Sequence, residues 1–253
     1  MTETTIDSAP VRRLDLSLVA AVFLHPRRAF ERIAAATRPL WGPPLLLLSL
    51  TSFLVVLASG FLKARAASMG AASLPLDFQY WTPAMQENYF QAQQAMQGPA
   101  FLYVIPLAGA LISLWLGWLF LGGLLHLTST VLGGRGSMGG ALNVVAWAAL
   151  PFAGRDVLRM LFMVITRQAI SSPGLSGFSA GAGFWSQLLA HADLFLIWQI
   201  ILLVLGLALA DDLPRRKAVA GVVIVVTLLL LAQAGLGALG AGLGGLAVQR
   251  PFF

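Results

Sequence analysis

Residues 139–165 read GGALNVVAWAALPFAGRDVLRMLFMVI, and how this stretch is taken decides the fold. Its first fourteen residues, Gly139 to Phe152, carry no charge. At about 1.5 Å per residue they are too short to cross a hydrocarbon core about 30 Å thick. Gly154, Arg155, Asp156 and Arg159 then intervene before Met160 to Ile165 turn apolar again. Either one helix continues through the charged patch, kinked near Pro151, or the segment is re-entrant. The continuous kinked helix is the preferred reading, and a count of five spans rests on it.

Outward from this stretch the hydrophobic runs are plainer. Residues 43–62 hold twenty residues without a charge, entered at Trp41 and closed by Lys63 and Arg65. An indole at the entrance suits the membrane interface. Residues 100–125 form a second run with Trp115 and Trp118 inside it, ending at His126 before the Gly133–Gly136 turn. A fourth is read at 190–210, with Asp193 near its start, and a fifth at 218–240, rich in glycine. Gly240 and Gly244 have the spacing that lets helices approach closely, though glycine there also simply packs or frays a span. Between the first two runs, Thr82-Pro83 reads as a cap and first turn, with Met85, Tyr89, Phe90 and Met96 as one apolar stripe of a short outer helix.

Composition agrees. The chain has 253 residues, 58% hydrophobic and 10% charged, against about 25% charged in soluble domains. A bilayer, acting as solvent, accommodates that much apolar surface. The expected class is therefore an all-α membrane protein: a bundle of five transmembrane helices preceded by an amphipathic arm. The domain reading is a flexible N-terminus at 1–10, an arm at 11–38 and a membrane domain at 39–253. Arg12 and Arg13 before Leu14–Leu24 resemble a signal peptide, but Asp15 and the following His25-Pro26-Arg27-Arg28 make cleavage an unfavoured reading. Leu14, Leu18 and Val22, with Phe23, Phe30 and Ile33, give the arm an apolar side. It either lies in the cytoplasmic interface with arginines at headgroups or packs, solvated, on the domain.

The net charge of +6 sits at the edges of the hydrophobic runs. That pattern sets topology and does not form a nucleic-acid surface. With the N-terminus inside, the inner side holds Arg12, Arg13, Arg27, Arg28, Arg32, Arg38, Arg135, Arg215, Arg216 and Lys217; the outer side holds Lys63, Arg65, Arg167 and Arg250. Ten basic residues against four favour a cytoplasmic N-terminus and an external C-terminus. There is no cysteine, which excludes disulfides and thiolate chemistry.

Three stretches carry a resemblance to a known family. The first is Val22 to Ile33, with Pro26, Ala29, Phe30 and Ile33 in a proline–x–x–alanine–phenylalanine–x–x–isoleucine pattern, followed by Trp41-Gly42-Pro43-Pro44. The second is Val144 to Pro151, with Trp147 and Pro151. The third runs from Asp193 through Phe195 and Trp198 to Gly206, before the basic turn. In order and spacing the chain resembles the Yip family, the Ypt-interacting membrane proteins, in its bacterial form. The resemblance implies a five-helix membrane bundle with a cytoplasmic N-terminus. In eukaryotes such proteins look like partners of Rab-type GTPases. The arginine-, alanine- and glycine-rich composition suggests a high-GC bacterium, so no Rab-type GTPase is expected. Bacterial members resemble accessory or scaffold subunits beside other membrane complexes.

The intramembrane charges Arg155, Asp156, Arg159 and Asp193 are the candidate site. An ionisable group at mid-span costs about 2.5–3.5 kcal/mol even on the lenient scale unless paired or hydrated. Arg155 and Arg159, four apart, share a helix face. Arg159 and Asp193 are expected at similar depth, hence paired; Asp156 is a local alternative partner. The set either fixes helix register or lines a hydrated cavity or partner site. His126, His191 and Asp193 do not form a metal site: residues two apart on a helix diverge, and His126 is expected on the opposite side. Ser113, Ser129 and the isolated acids make no catalytic set, and the glycine run lacks the context of a phosphate loop. Mid-span Trp115, Trp118, Trp147 and Trp198 are expected to pack between helices, each indole N–H bonded to a carbonyl or polar side chain, with Asn143 and Gln199 as candidates.

The functional expectation is a non-enzymatic, cofactor-free inner-membrane protein, a scaffold or accessory subunit touching the lipid bilayer and a membrane-protein partner. The alternative is a small-solute transporter or channel, for which internal repeats are lacking in the sequence.

Overall fold

In hydrocarbon each backbone N–H must bond within its own segment, so uncharged runs of Leu, Val and Ala become helices. The computed structural model describes residues 16–36, 38–68, 74–75, 77–170, 172–179 and 183–248. The expected flexible N-terminus, Arg12, Arg13 and Arg250 lie outside them.

Helices α1 (Leu16–Leu24) and α2 (Pro26–Ala34) form the arm, with Pro26 in the first turn of α2. α3 (Gly42–Ser68) is the first long helix. It runs past Lys63 and Arg65, where the sequence reading ended it, because long basic side chains reach polar surroundings without breaking a helix. α4 (Pro83–Met96) begins where Thr82 accepts a hydrogen bond from the Met85 N–H at 3.4 Å. A π-helical turn, Ala100–Val104, leads into α5 (Ile105–Val131). Pro106 lacks an N–H and its ring crowds the carbonyl one turn back, which a widened turn relieves. α5 continues beyond His126, the residue that had marked its expected end.

The segment in question is two helices, α6 (Met138–Ala148) and α7 (Leu150–Thr166). They join at Ala149, whose carbonyl accepts from the Phe152 N–H at 3.0 Å. Pro151 sits in the first turn of α7, so the missing N–H costs nothing. The expected fourth run is also broken: α8 (Phe184–His191) and α9 (Leu194–Ala210) meet at an angle of 62°. Ala192 is extended and Asp193 caps α9. α10 (Arg215–Val248) follows a short turn.

By length and composition, Gly42–Ser68, Ala100–Val131 and Arg215–Ala241 can each cross a membrane among the described residues, and the bent α8–α9 pair makes a fourth if it is one span. The long helices alternate in direction. Leu40 bonds Asn143 and Thr51 bonds Asp156, so α3 and α6–α7 run parallel. Gly60 of α3 abuts Leu102 and Tyr103, so α5 runs the other way. The Arg135 N–H bonds the Asp211 carbonyl at 3.0 Å, which brings the ends of α5 and α9 together.

The core lies where α2, α6 and α9 cross. Leu18, Val22, Phe30 and Ile33 of the arm are fully buried there, so its apolar side is covered by protein. A Cβ added to Gly206 of α9 would stand 2.7 Å from Phe30 Cδ1 and 2.5 Å from Val144 Cγ1, so only glycine permits this approach.

Candidate functional site

The charged residues gather where α3, α7 and the start of α9 meet. Asp193 does two jobs. Its Oδ1 accepts the Leu196 N–H at 2.8 Å, capping α9, and its Oδ2 receives Arg155 Nη1 at 3.3 Å. A carboxylate at a helix N-terminus also suits the helix dipole. The Arg155 guanidinium stands 4.4 Å over the Phe152 ring, and its Nε lies 3.9 Å from Asp156 Oδ1. The Thr51 hydroxyl lies 3.2 Å from Asp156 Oδ2 and 3.1 Å from the Leu48 carbonyl, and its one proton serves one acceptor at a time.

The expected Arg159–Asp193 pair is therefore corrected to Arg155–Asp193. The expectation placed Asp193 one turn inside a continuous span. The break at Ala192 makes it the cap instead, level with Arg155, and Arg159 lies one turn further along α7. Arg159 forms no ion pair among the described residues. Asp156 faces α3, a partner that only the fold supplies.

The family-like positions meet one another. Phe30 lies on Gly206, and Phe195 is the nearest neighbour of Gly154, 3.9 Å from a Cβ placed there. Phe23 meets Trp198 edge-on with centroids 5.3 Å apart. Trp147 is fully buried and donates its indole N–H to the Leu40 carbonyl at 3.0 Å, while the Leu40 N–H bonds Asn143 Oδ1 at 2.8 Å. Trp118 bonds the Leu142 carbonyl at 2.9 Å. These two indoles use backbone carbonyls, whereas Trp115 and Trp198 show ring contacts and no indole hydrogen bond among the described residues. Asn143 holds the chain just before α3, whose first turn carries Pro43.

A cleft of about 540 Å³ opens beside this cluster, bordered by α3, α5, α7, α9 and α10. Its walls are mostly apolar, leucine above all, with Arg155, Asp156, His191, Gln199, Gln233 and two serines, Ser52 and Ser113, on them. Its size falls in the range of about 300–1,000 Å³ usual for small-molecule sites.

A second buried polar group lies at the α9–α10 turn. Asp211 is 1% exposed and accepts the Ser129 hydroxyl through Oδ2, while its Oδ1 has no partner among the described residues. The sequence reading passed over it because paired acids in a basic turn look solvated. His126 Nδ1 is also buried and unpartnered there. His191 Nδ1 lies 2.9 Å from the Gln187 carbonyl, and no cluster of three metal-ligating side chains occurs among the described residues.

No curated protein and no solved structure matches the chain. A family model, the Yip1 domain, matches residues 20–236, a stretch that takes in the arm from Ala20 onward, the polar cluster and all three resembling segments; the chain belongs to this family of membrane proteins.

Proposed function

We propose that the chain is a non-enzymatic scaffold or accessory subunit of a membrane or transport assembly in a bacterial cytoplasmic membrane. In this reading it has five crossings, a cytoplasmic N-terminus and an external C-terminus. The alternating helix directions and the ten-to-four basic asymmetry support that topology. The observation that carries the role is how the intramembrane polar groups are used. Asn143, Trp147, Thr51, Asp156, Arg155 and Asp193 each bond another helix or the chain at its end. Such bonds hold a bundle in one register, which is what a docking platform needs. Meanwhile α5 leaves Ile112, Leu116 and Phe120 uncovered.

Photoreactive residues at Ile112, Leu116 and Phe120, irradiated in native membranes, are expected to give one protein adduct of defined mass. Purified chain in liposomes is expected to pass no solute above empty vesicles. The transporter reading draws on the cleft and the bent α8–α9 pair, since broken helices border transport sites. Flux by the purified chain alone would establish it and sink the scaffold.

A further inference from the structure

The cleft mixes two chemistries that neither water nor plain hydrocarbon satisfies. Leu114, Leu121, Leu229 and Leu230 give it apolar walls. Gln199 borders it, is 7% exposed and makes no side-chain hydrogen bond among the described residues. Arg155 also borders it with its side chain 24% exposed, and among the described residues only Nη1 of its guanidinium makes a hydrogen bond, to Asp193. Buried polar groups are as a rule hydrogen-bonded, most strictly within a bilayer. Water would satisfy the polar end and leave the leucines wet. A bare acyl chain would do the reverse.

We infer that the cleft holds one membrane phospholipid, an acyl chain along the leucine wall and its ester or phosphate oxygens on Arg155 and Gln199. The bilayer supplies this ligand at high concentration. The two arginines and two aspartates around the cluster balance in charge, so the site offers donors for acceptor oxygens without requiring a net anion. A zwitterionic phospholipid is therefore the appropriate probe. The inference needs only a membrane location; Leu116 and Phe120 of the partner surface proposed above also border the cleft, whereas Ile112 does not, so a protein adduct at Ile112 is compatible with a lipid in the cleft.

Gly117 provides the test. It borders the cleft on α5, and a Cβ there meets nothing within 4 Å, so a larger side chain enters the empty space without a clash at its root. Gly109, on the same helix, is equally open and does not border the cleft. Full-length chain would be placed in phosphatidylcholine nanodiscs containing a trace of phosphatidylcholine with a diazirine on its acyl chain. After irradiation, label is expected on the cleft-facing stretches of α5 and α10. Gly117→Phe should cut that label about tenfold, as filling a pocket against its occupant does, and Gly109→Phe should leave it unchanged. Label unaffected by Gly117→Phe, or reduced equally by Gly109→Phe, would overturn the site and leave only annular lipid. Should Gly117→Phe misfold, Gln199→Leu decides: phospholipid labelling falls while a headgroup-free diazirine alkane still labels the cleft. Equal labelling of that variant by both probes overturns the inference.

Discussion

Asp211 shows how burial turns a charge into a pH response. It closes α9 in the turn before α10, where Gly136 is so near that a Cβ would overlap its Oδ1. Burial pushes its carboxyl above the usual carboxylate value of 3.8, and the Ser129 hydrogen bond and charge at His126 offset this in part. The folded state therefore binds the proton more tightly than the unfolded state. Stability is greatest below the ordinary carboxylate value and declines as pH rises from about 4 through the raised folded value, then levels off. Asp211→Asn keeps the shape and an acceptor for Ser129 but cannot ionise. Melting in detergent between acid and neutral pH should show a downward slope for the parent chain and a flatter one for the variant, which should be at least as stable at neutral pH. An unchanged slope would assign the pH dependence to another group. The partner of Asp193 was misread in the sequence for a related reason. The correct partner depended on a helix break at Ala192, and no glycine or proline marks that break.

At the scale of elements, the docking of α2 on α9 is the contact that local sequence conceals. Phe30 lies over Gly206, and Val144 of α6 closes the other side. Gly206→Leu overfills this contact and is expected to cost about 1–3 kcal/mol, while Phe30→Ala alone costs about 3–5 kcal/mol. Because the two side chains would compete for one space, the double variant should be more stable than the sum of the single losses predicts. Unfolding in mixed detergent micelles measures all three, and strict additivity would mean that α2 does not dock there. Helix identity was legible along most of the chain because uncharged apolar runs admit little else in a membrane. The first span at 43–62 and the capped α4 followed from charge boundaries and Thr82-Pro83, while the extension of α3 past Lys63 to Ser68 did not. The breaks at Ala149 and Ala192 were less legible. Pro151 hinted at the first, but a helix end among alanines leaves no composition signal. The candidate charges were visible as residues, since charge is scarce in these segments. Thr51 beside Asp156 and Ser129 beside Asp211 were not, because they come from remote parts of the chain and serine or threonine is unremarkable in a span.

At the scale of the molecule, the number of crossings turns on α6–α7. If this pair re-entered the membrane, the chain would leave Thr166 on the side where α6 began. α9, about 25 Å long at its helical rise, would then end on the side opposite to Arg135. Yet the Arg135 N–H bonds the Asp211 carbonyl, and Lys217 Nζ bonds the Leu132 carbonyl at 2.7 Å. Those two bonds hold the end of α9 and the start of α10 at the end of α5. They are the bonds expected if α6–α7 cross the bilayer together, as the five-crossing proposal requires, and not if α6–α7 form a re-entrant hairpin. The absence of native cysteine makes the test direct. Single cysteines replacing the exposed residues Arg28 and Arg216 should react with an impermeant thiol reagent only after sealed cells are opened, and those replacing Glu87 and Gln168 should react before. Reaction at position 168 only after opening, with 216 reacting in sealed cells, would make α6–α7 re-entrant. It would also require the turn contacts between α5, α9 and α10 to be absent in the membrane.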